Sequence, residues 1–133
     1  MAVLAILQAD TRVAARLSGA LSADHRVSVH PSWDALGGAL DQGPFDGCLV
    51  DAEHPDRNAA TIEIARLRER HPGLAIVACV DVRHGQGYFD LGELGVDGIL
   101  PSASLQNARV RSIVDAALAM ARADRISRAL EGR

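Results

Sequence analysis

Residues 46–55, Asp46-Gly47-Cys48-Leu49-Val50-Asp51-Ala52-Glu53-His54-Pro55, carry a short apolar run that stops on a carboxylate. Gly43-Pro44 marks a turn before it. A helical pattern follows from about Asn58 to Arg70, with Ala60, Ile64 and Leu67 on one face, and Pro72-Gly73 stops it. An apolar run without polar alternation leaves no solvent side, so Gly47 to Val50 reads as a strand covered on both faces.

The same alternation extends in both directions. Ala2 to Leu7 is a second continuous apolar run, followed by Asp10 and Thr11 as N-cap candidates and by Val13, Leu17, Ala20 and Leu21 on one helical face. His25 to His30 alternates, with Val27 and Val29 on one side. Ser32 caps a short helix carrying Trp33, Leu36 and Leu40, which Gly37 and Gly38 weaken by roughly 1 kcal/mol each relative to alanine. Leu74 to Val80 is the fourth strand. Val82 to Leu94 is a poor helix, punctuated by Gly85, Gly87 and Gly92, and Val82 to Gly92 is expected to be the least protected segment in hydrogen exchange. Ile99-Leu100 gives a short fifth strand. The last helix runs from about Leu105 to Leu130 with Val110, Ile113, Val114, Ala117, Leu118 and Ala121 as its stripe.

Strands alternating with helices predict an α/β fold, a doubly wound, flavodoxin-like (βα)₅ unit with a five-stranded parallel sheet in the order 2-1-3-4-5. Function in such sheets concentrates at the carboxyl ends of the strands, here Gln8-Ala9-Asp10, Asp51, Cys79 with Asp81, and Pro101-Ser102.

Composition narrows the function classes. The chain has 133 residues and a formal charge of −3, and all fourteen basic residues are arginine. Without lysine there is no Schiff-base or general-base lysine and no P-loop. The mild acidity gives no overall footprint for nucleic acid. No apolar run approaches the ~18 residues of a membrane span, and the start lacks the basic region of a signal peptide. Two cysteines, Cys48 and Cys79, are too few for a disulfide framework. A cytoplasmic globular domain is expected, with no membrane partner.

Two stretches carry a family likeness: residues 46–55, and Leu94-Gly95-Val96-Asp97-Gly98-Ile99-Leu100-Pro101. Over about residues 2 to 122 the sequence resembles the receiver domain of bacterial two-component response regulators. The resemblance makes Asp51 the phosphoacceptor position, with Pro55 four residues beyond. Other positions depart from the pattern. The acidic pair that supplies most of the family's divalent-cation ligands falls on Gln8 and Ala9, and Asp10 beside them reads as the cap of helix one. The hydroxyl of the fourth strand falls on Cys79, the lysine on Ser102, the proline after it on Ala103, and the switch aromatic on Ile99.

Phosphoryl transfer needs a cation to neutralise developing charge, and Mg²⁺ wants carboxylate oxygens. Asp51 is the one sure carboxylate of the aligned site, so no cofactor is expected and Mg²⁺ binding is disfavoured. The resemblance thus implies a degenerate, or pseudo-, receiver with Asp51 as a vestigial acceptor and Gln8, Ala9, Asp10, Cys79 and Ser102 as a vestigial pocket. With the acidic pair gone, no like charge is expected near Asp51. Its carboxylate should stay ionised and accept hydrogen bonds from loop amides or Ser102. Cys79 is expected to be a core residue, since a reactive thiol would need a cation such as Arg83 beside it. The five histidines lack metal-ligand spacing.

The helical pattern continues past residue 122, with Ile126 and Leu130 at i, i+4. From Gln106 onward there are six arginines against three acids. Residues 1–122 are therefore expected to form the receiver-like domain and 123–133 a helical extension toward an output domain. Ile113, Ala117, Ile126 and Leu130 are the residues expected on a dimer or linker helix. The expected role is the non-enzymatic regulatory domain of a transcription regulator, acting as a homodimer or through contact with a histidine kinase or other signalling protein. It would reach DNA only through an output domain. The alternatives are a small-molecule sensor using the strand-end pocket, and a still phosphorylatable atypical receiver. A flavin enzyme lacks a cofactor motif and has only four aromatics to stack the ring.

Overall fold

A computed structural model describes residues 1–81, 91–103 and 105–132. The elements are β1 (Val3–Leu7), α1 (Thr11–Leu21), β2 (Arg26–His30), α2 (Trp33–Gln42), β3 (Gly47–Asp51), α3 (Arg57–Arg70), β4 (Ala75–Val80), β5 (Gly98–Pro101) and α4 (Asn107–Glu131). The strands form one sheet in the order β2-β1-β3-β4-β5, and every pair is parallel. This is the doubly wound arrangement predicted from the alternation. Most of the segment expected to be poorly helical and poorly protected, Val82 to Gly92, lies outside the described residues, and so does Arg83.

Side chains that alternate along each strand divide the core in two. Leu4, Ile6, Leu49, Val77 and Leu100 face Leu17 and Leu21 of α1 and Val110, Val114, Ala117 and Ala121 of α4. Ala5, Leu7, Val50, Ile76 and Val80 face Leu36 and Leu40 of α2 and Ile64 and Leu67 of α3. β1, β3 and β4 lie inside the sheet under helices on both faces, which is why their sequences are nearly unbroken apolar runs. β2 is an edge strand. Val27 packs partly buried against the core but Val29 is 42% exposed, so only half of that alternating stripe reaches the core.

Caps set the helix starts. Asp10 accepts from the Arg12 and Val13 amides, Ser32 from Ala35, and Asp56 from Ala59. Each satisfies a donor that the first helical turn leaves unpaired. Gly95, at φ +83°, closes a helical turn that begins at Leu91, with Leu94 and Gly95 amides donating to the Leu91 and Gly92 carbonyls. That backbone conformation suits glycine because a Cβ would crowd the following carbonyl.

The predicted last helix forms without a break at residue 122. Ala117 is buried under it and Ile113 packs against the same core, so both face the sheet. Ile126 and Leu130, expected with them on a dimer or linker helix, are 56% and 62% exposed. A 3.6-residue repeat separates positions 113 and 117 from 126 and 130 by about half a turn, which places the two pairs on opposite sides. Among the described residues no helix is long and apolar enough to cross a membrane.

Candidate functional site at the carboxyl edge of the sheet

Parallel strands bring the ends of β1, β3, β4 and β5 to one edge. Leu7 is in register with Val50, Asp51 with Cys79, and Val80 with Pro101. Gln8, Asp51, Cys79 and Ser102 are therefore gathered at this edge from four strands, although they lie up to 94 positions apart.

The backbone around Asp51 is tightly bonded. Its Oδ1 accepts the Glu53 amide at 2.9 Å, and the Ala52 amide donates to the Cys79 carbonyl at 2.9 Å. The Trp33 indole donates to the His54 carbonyl at 2.8 Å, tying the start of α2 to this loop. The His54–Pro55 peptide is cis. Asp51 thus makes the loop-amide bond expected of it. The expectation of an isolated carboxylate fails: Glu53, two residues on, is a like charge. Burial raises the Asp51 carboxyl above its ordinary value, the Glu53 amide and His54 draw it back, and the Glu53 charge adds a smaller upward push.

Gln8 is buried but turned to its own turn, with Oε1 accepting the Asp10 amide at 3.0 Å and its backbone amide donating to His30. Ala9 and Asp10 are exposed, and Asp10 caps α1. Cys79 is a core residue. Burial, with the Asp51 charge second, pushes its thiol up to about 12. Ser102 is exposed and its amide donates to the Val80 carbonyl at 2.8 Å. Ala103 is exposed and Ile99 packs partly buried on the α2–α3 side.

A divalent cation of the magnesium type wants octahedral oxygen ligands with carboxylates among them. Among the described residues no group of three or more His, Cys, Asp or Glu side chains could hold a metal ion. At this edge the Gln8 oxygen and one oxygen each of Asp10 and Asp51 already accept backbone amides, and both Glu53 oxygens are bonded to Arg57. Among the described residues the donor set does not fit such an ion.

Two polar features escaped the sequence reading. Arg57 grips Glu53 through both nitrogens, Nε to Oε2 at 3.1 Å and Nη2 to Oε1 at 2.9 Å, an i, i+4 pair legible in principle from spacing. Arg68 of α3 reaches Gly95 and Asp97 across 27 and 29 residues, a contact with no local signature.

No family model matches the chain, and no curated protein matches it in sequence. Solved structures do match. NtrX from Brucella abortus superposes with a TM-score of 0.87 at 14% identity, over 98% of this chain and 30% of that one. A CheY-like receiver domain protein from Methanospirillum hungatei gives 0.81 at 12%, over 93% of this chain and 98% of that one. The fold is that of a response-regulator receiver domain. An adenylate cyclase structure from Rhodopirellula baltica also shares it, with a TM-score of 0.84 at 16% identity over 98% and 97% of the two chains. Identities of this size establish the fold alone. The chain spans about three tenths of the NtrX chains it matches.

Proposed function

We propose that the chain is a receiver-like signalling module that has lost conventional Mg²⁺-dependent phosphorylation and works through protein contacts. The observation that carries this reading is the state of the carboxyl edge. Asp51 occupies the acceptor position at the end of β3, while Gln8 stands where an acidic residue would serve a cation, its oxygen spent on the Asp10 amide. A buried thiol held at about 12 stands where a hydroxyl would contact a phosphoryl group. A thiol in that state is a poor donor.

On this reading residues 1–122 form the regulatory domain of a cytoplasmic transcription regulator and residues 123–133 lead toward an output element. The module is not an enzyme. Its partners are a second copy of itself or another signalling protein, a histidine kinase included, and it meets DNA only through an attached domain. Ile126 and Leu130, exposed on α4 together with Met120, are apolar positions available for pairing.

The test is incubation with a small phosphodonor and Mg²⁺, followed by intact mass. The expected result is an unmodified protein. A stoichiometric, hydroxylamine-labile phosphoryl group that disappears in Asp51→Asn would overturn the reading in favour of an atypical but working receiver.

A further inference from the structure

After Ala121, residues 122–131 of α4 are all exposed, and none of them belongs to either core cluster. Among the described residues the hydrogen bonds of this stretch to the domain are two arginine contacts at one corner. Arg125 Nη1 donates to the Gly73 carbonyl at 3.0 Å, and Arg128 Nη1 donates to the Pro72 carbonyl at 3.1 Å. On the side facing residues 93–97 the helix is separated from the domain by a cleft of about 330 Å³, bordered by Arg68, Gly95, Asp97, Asp124 and Arg128. The course of the exit helix therefore depends on where the Pro72–Gly73 corner sits.

That corner is itself held by Arg68. One nitrogen, Nη1, donates to the carbonyls of Pro72 at 3.1 Å and Leu74 at 2.8 Å. Nε and Nη2 donate to the Gly95 carbonyl at 3.0 and 2.8 Å, and Nη2 also meets Asp97 Oδ2 at 2.7 Å. The Pro72 carbonyl is thus shared by two guanidinium groups, one from α3 and one from the exit helix. A planar fork with five donors can bridge two chain segments in this way, and a lysine ammonium cannot reproduce it.

We propose that the Pro72–Gly73 corner is a joint that sets the direction of the exit helix, and that Arg68 couples this joint to the Gly95–Asp97 turn ahead of β5. Displacement of that turn would move Arg68, the shared carbonyl and then Arg128, so the helix end would respond to a segment it does not touch. The coupling runs along the amino edge of the sheet and needs nothing from Asp51. Its use in signalling rests on the function proposed above.

Hydrogen exchange of the full chain, with no phosphodonor and no partner, tests the joint. Arg125→Gln with Arg128→Gln should speed exchange of amides 124–130 about tenfold, the scale of losing charged hydrogen bonds from a locally opening segment. Val110 to Ala121 should be unchanged. Arg68→Lys keeps a positive charge beside Asp97 but breaks the fork, and the same tail amides should speed up although residue 68 makes no hydrogen bond to residues 124–130. Arg66→Gln, on the same helix with its guanidinium directed to Glu63, should leave the tail as it is.

Unchanged tail exchange in the double variant would remove the joint. Acceleration in Arg68→Lys confined to residues 71–76 and 95–97 would remove the coupling. Should Arg68→Lys raise exchange throughout the domain, Asp97→Asn decides, because it retains an acceptor for the Ile76 amide while removing the charge that holds Arg68 to the turn. A tail that then matches the parent overturns the coupling. Because no phosphorylation enters the assay, failure of the proposed function and failure of the joint are read separately.

Discussion

Arg68 Nη2 and Asp97 Oδ2 stand 2.7 Å apart, and the same Asp97 oxygen accepts the Ile76 amide at 2.9 Å. The carboxylate joins the end of α3 to β4 and to the approach to β5. Both side chains are largely buried, 19% and 8% exposed, so the pair is shielded from the solvent screening that weakens surface ion pairs. Asp97→Ala would leave the Arg68 charge without its counter-ion and the buried Ile76 amide without its acceptor. The expected cost is about 3–5 kcal/mol, measured as a shift in the urea midpoint with unchanged slope. A loss below about 1 kcal/mol would mean that water or rearrangement replaces the carboxylate.

Asp51 sets a pH dependence of defined sign. Its folded value is raised above 3.8 by burial, so the folded state holds its proton more tightly than the unfolded one. The group favours folding below its unfolded value, and that contribution disappears as pH rises through the raised folded value. Asp51→Asn keeps an acceptor for the Glu53 amide and removes the buried charge. Its melting temperature at pH 7 should equal or exceed that of the parent, with the difference shrinking below about pH 4. A large destabilisation at pH 7 would show that the ionised carboxylate has partners that favour it.

Both cysteines are free and buried, and burial pushes each thiol up to about 12. The thiolate is the reactive form, so thiol reagents at pH 8 should modify neither Cys48 nor Cys79 in the native protein. Addition of denaturant should release both. Rapid modification of Cys79 alone would point to local opening at the end of β4.

Gly47 begins β3 in a tight place. A Cβ there would stand 3.2 Å from both the Ala75 Cβ and carbonyl oxygen and 3.3 Å from Leu118 Cδ2. The Ala75 backbone belongs to the neighbouring strand and cannot yield freely, so Gly47→Ala should destabilise by about 1–3 kcal/mol. Thermal unfolding checks this. A neutral or stabilising change would mean that Leu118 and β4 relax together.

Ile126 and Leu130 contribute little to the monomer because both are exposed. Replacing the two by Gln should leave unfolding within about 0.5 kcal/mol of the parent. If α4 pairs with its copy, light scattering should show the parent associating and the double variant monomeric. A parent that is monomeric at all concentrations would count against self-association.

The sequence by itself determined the alternation of strands and helices, the parallel sheet and the buried faces of α1, α3 and α4. Those signals are local: an apolar run without polar alternation, a 3.6-residue stripe, a capping Asp or Ser. It also determined that Asp51 is gathered at the carboxyl edge with Gln8 and Cys79, because strand order follows from topology. Tertiary structure alone decided where the polar groups point. Gln8 turns to the Asp10 amide, Glu53 adds a charge beside Asp51, and Ile113 faces away from Ile126 on one continuous helix. It also decided that Arg68 spans to Gly95 and that Arg128 shares the Pro72 carbonyl. Such contacts join residues 27 to 56 positions apart through flexible side chains. Their partners are backbone carbonyls, which every residue carries and no sequence pattern marks.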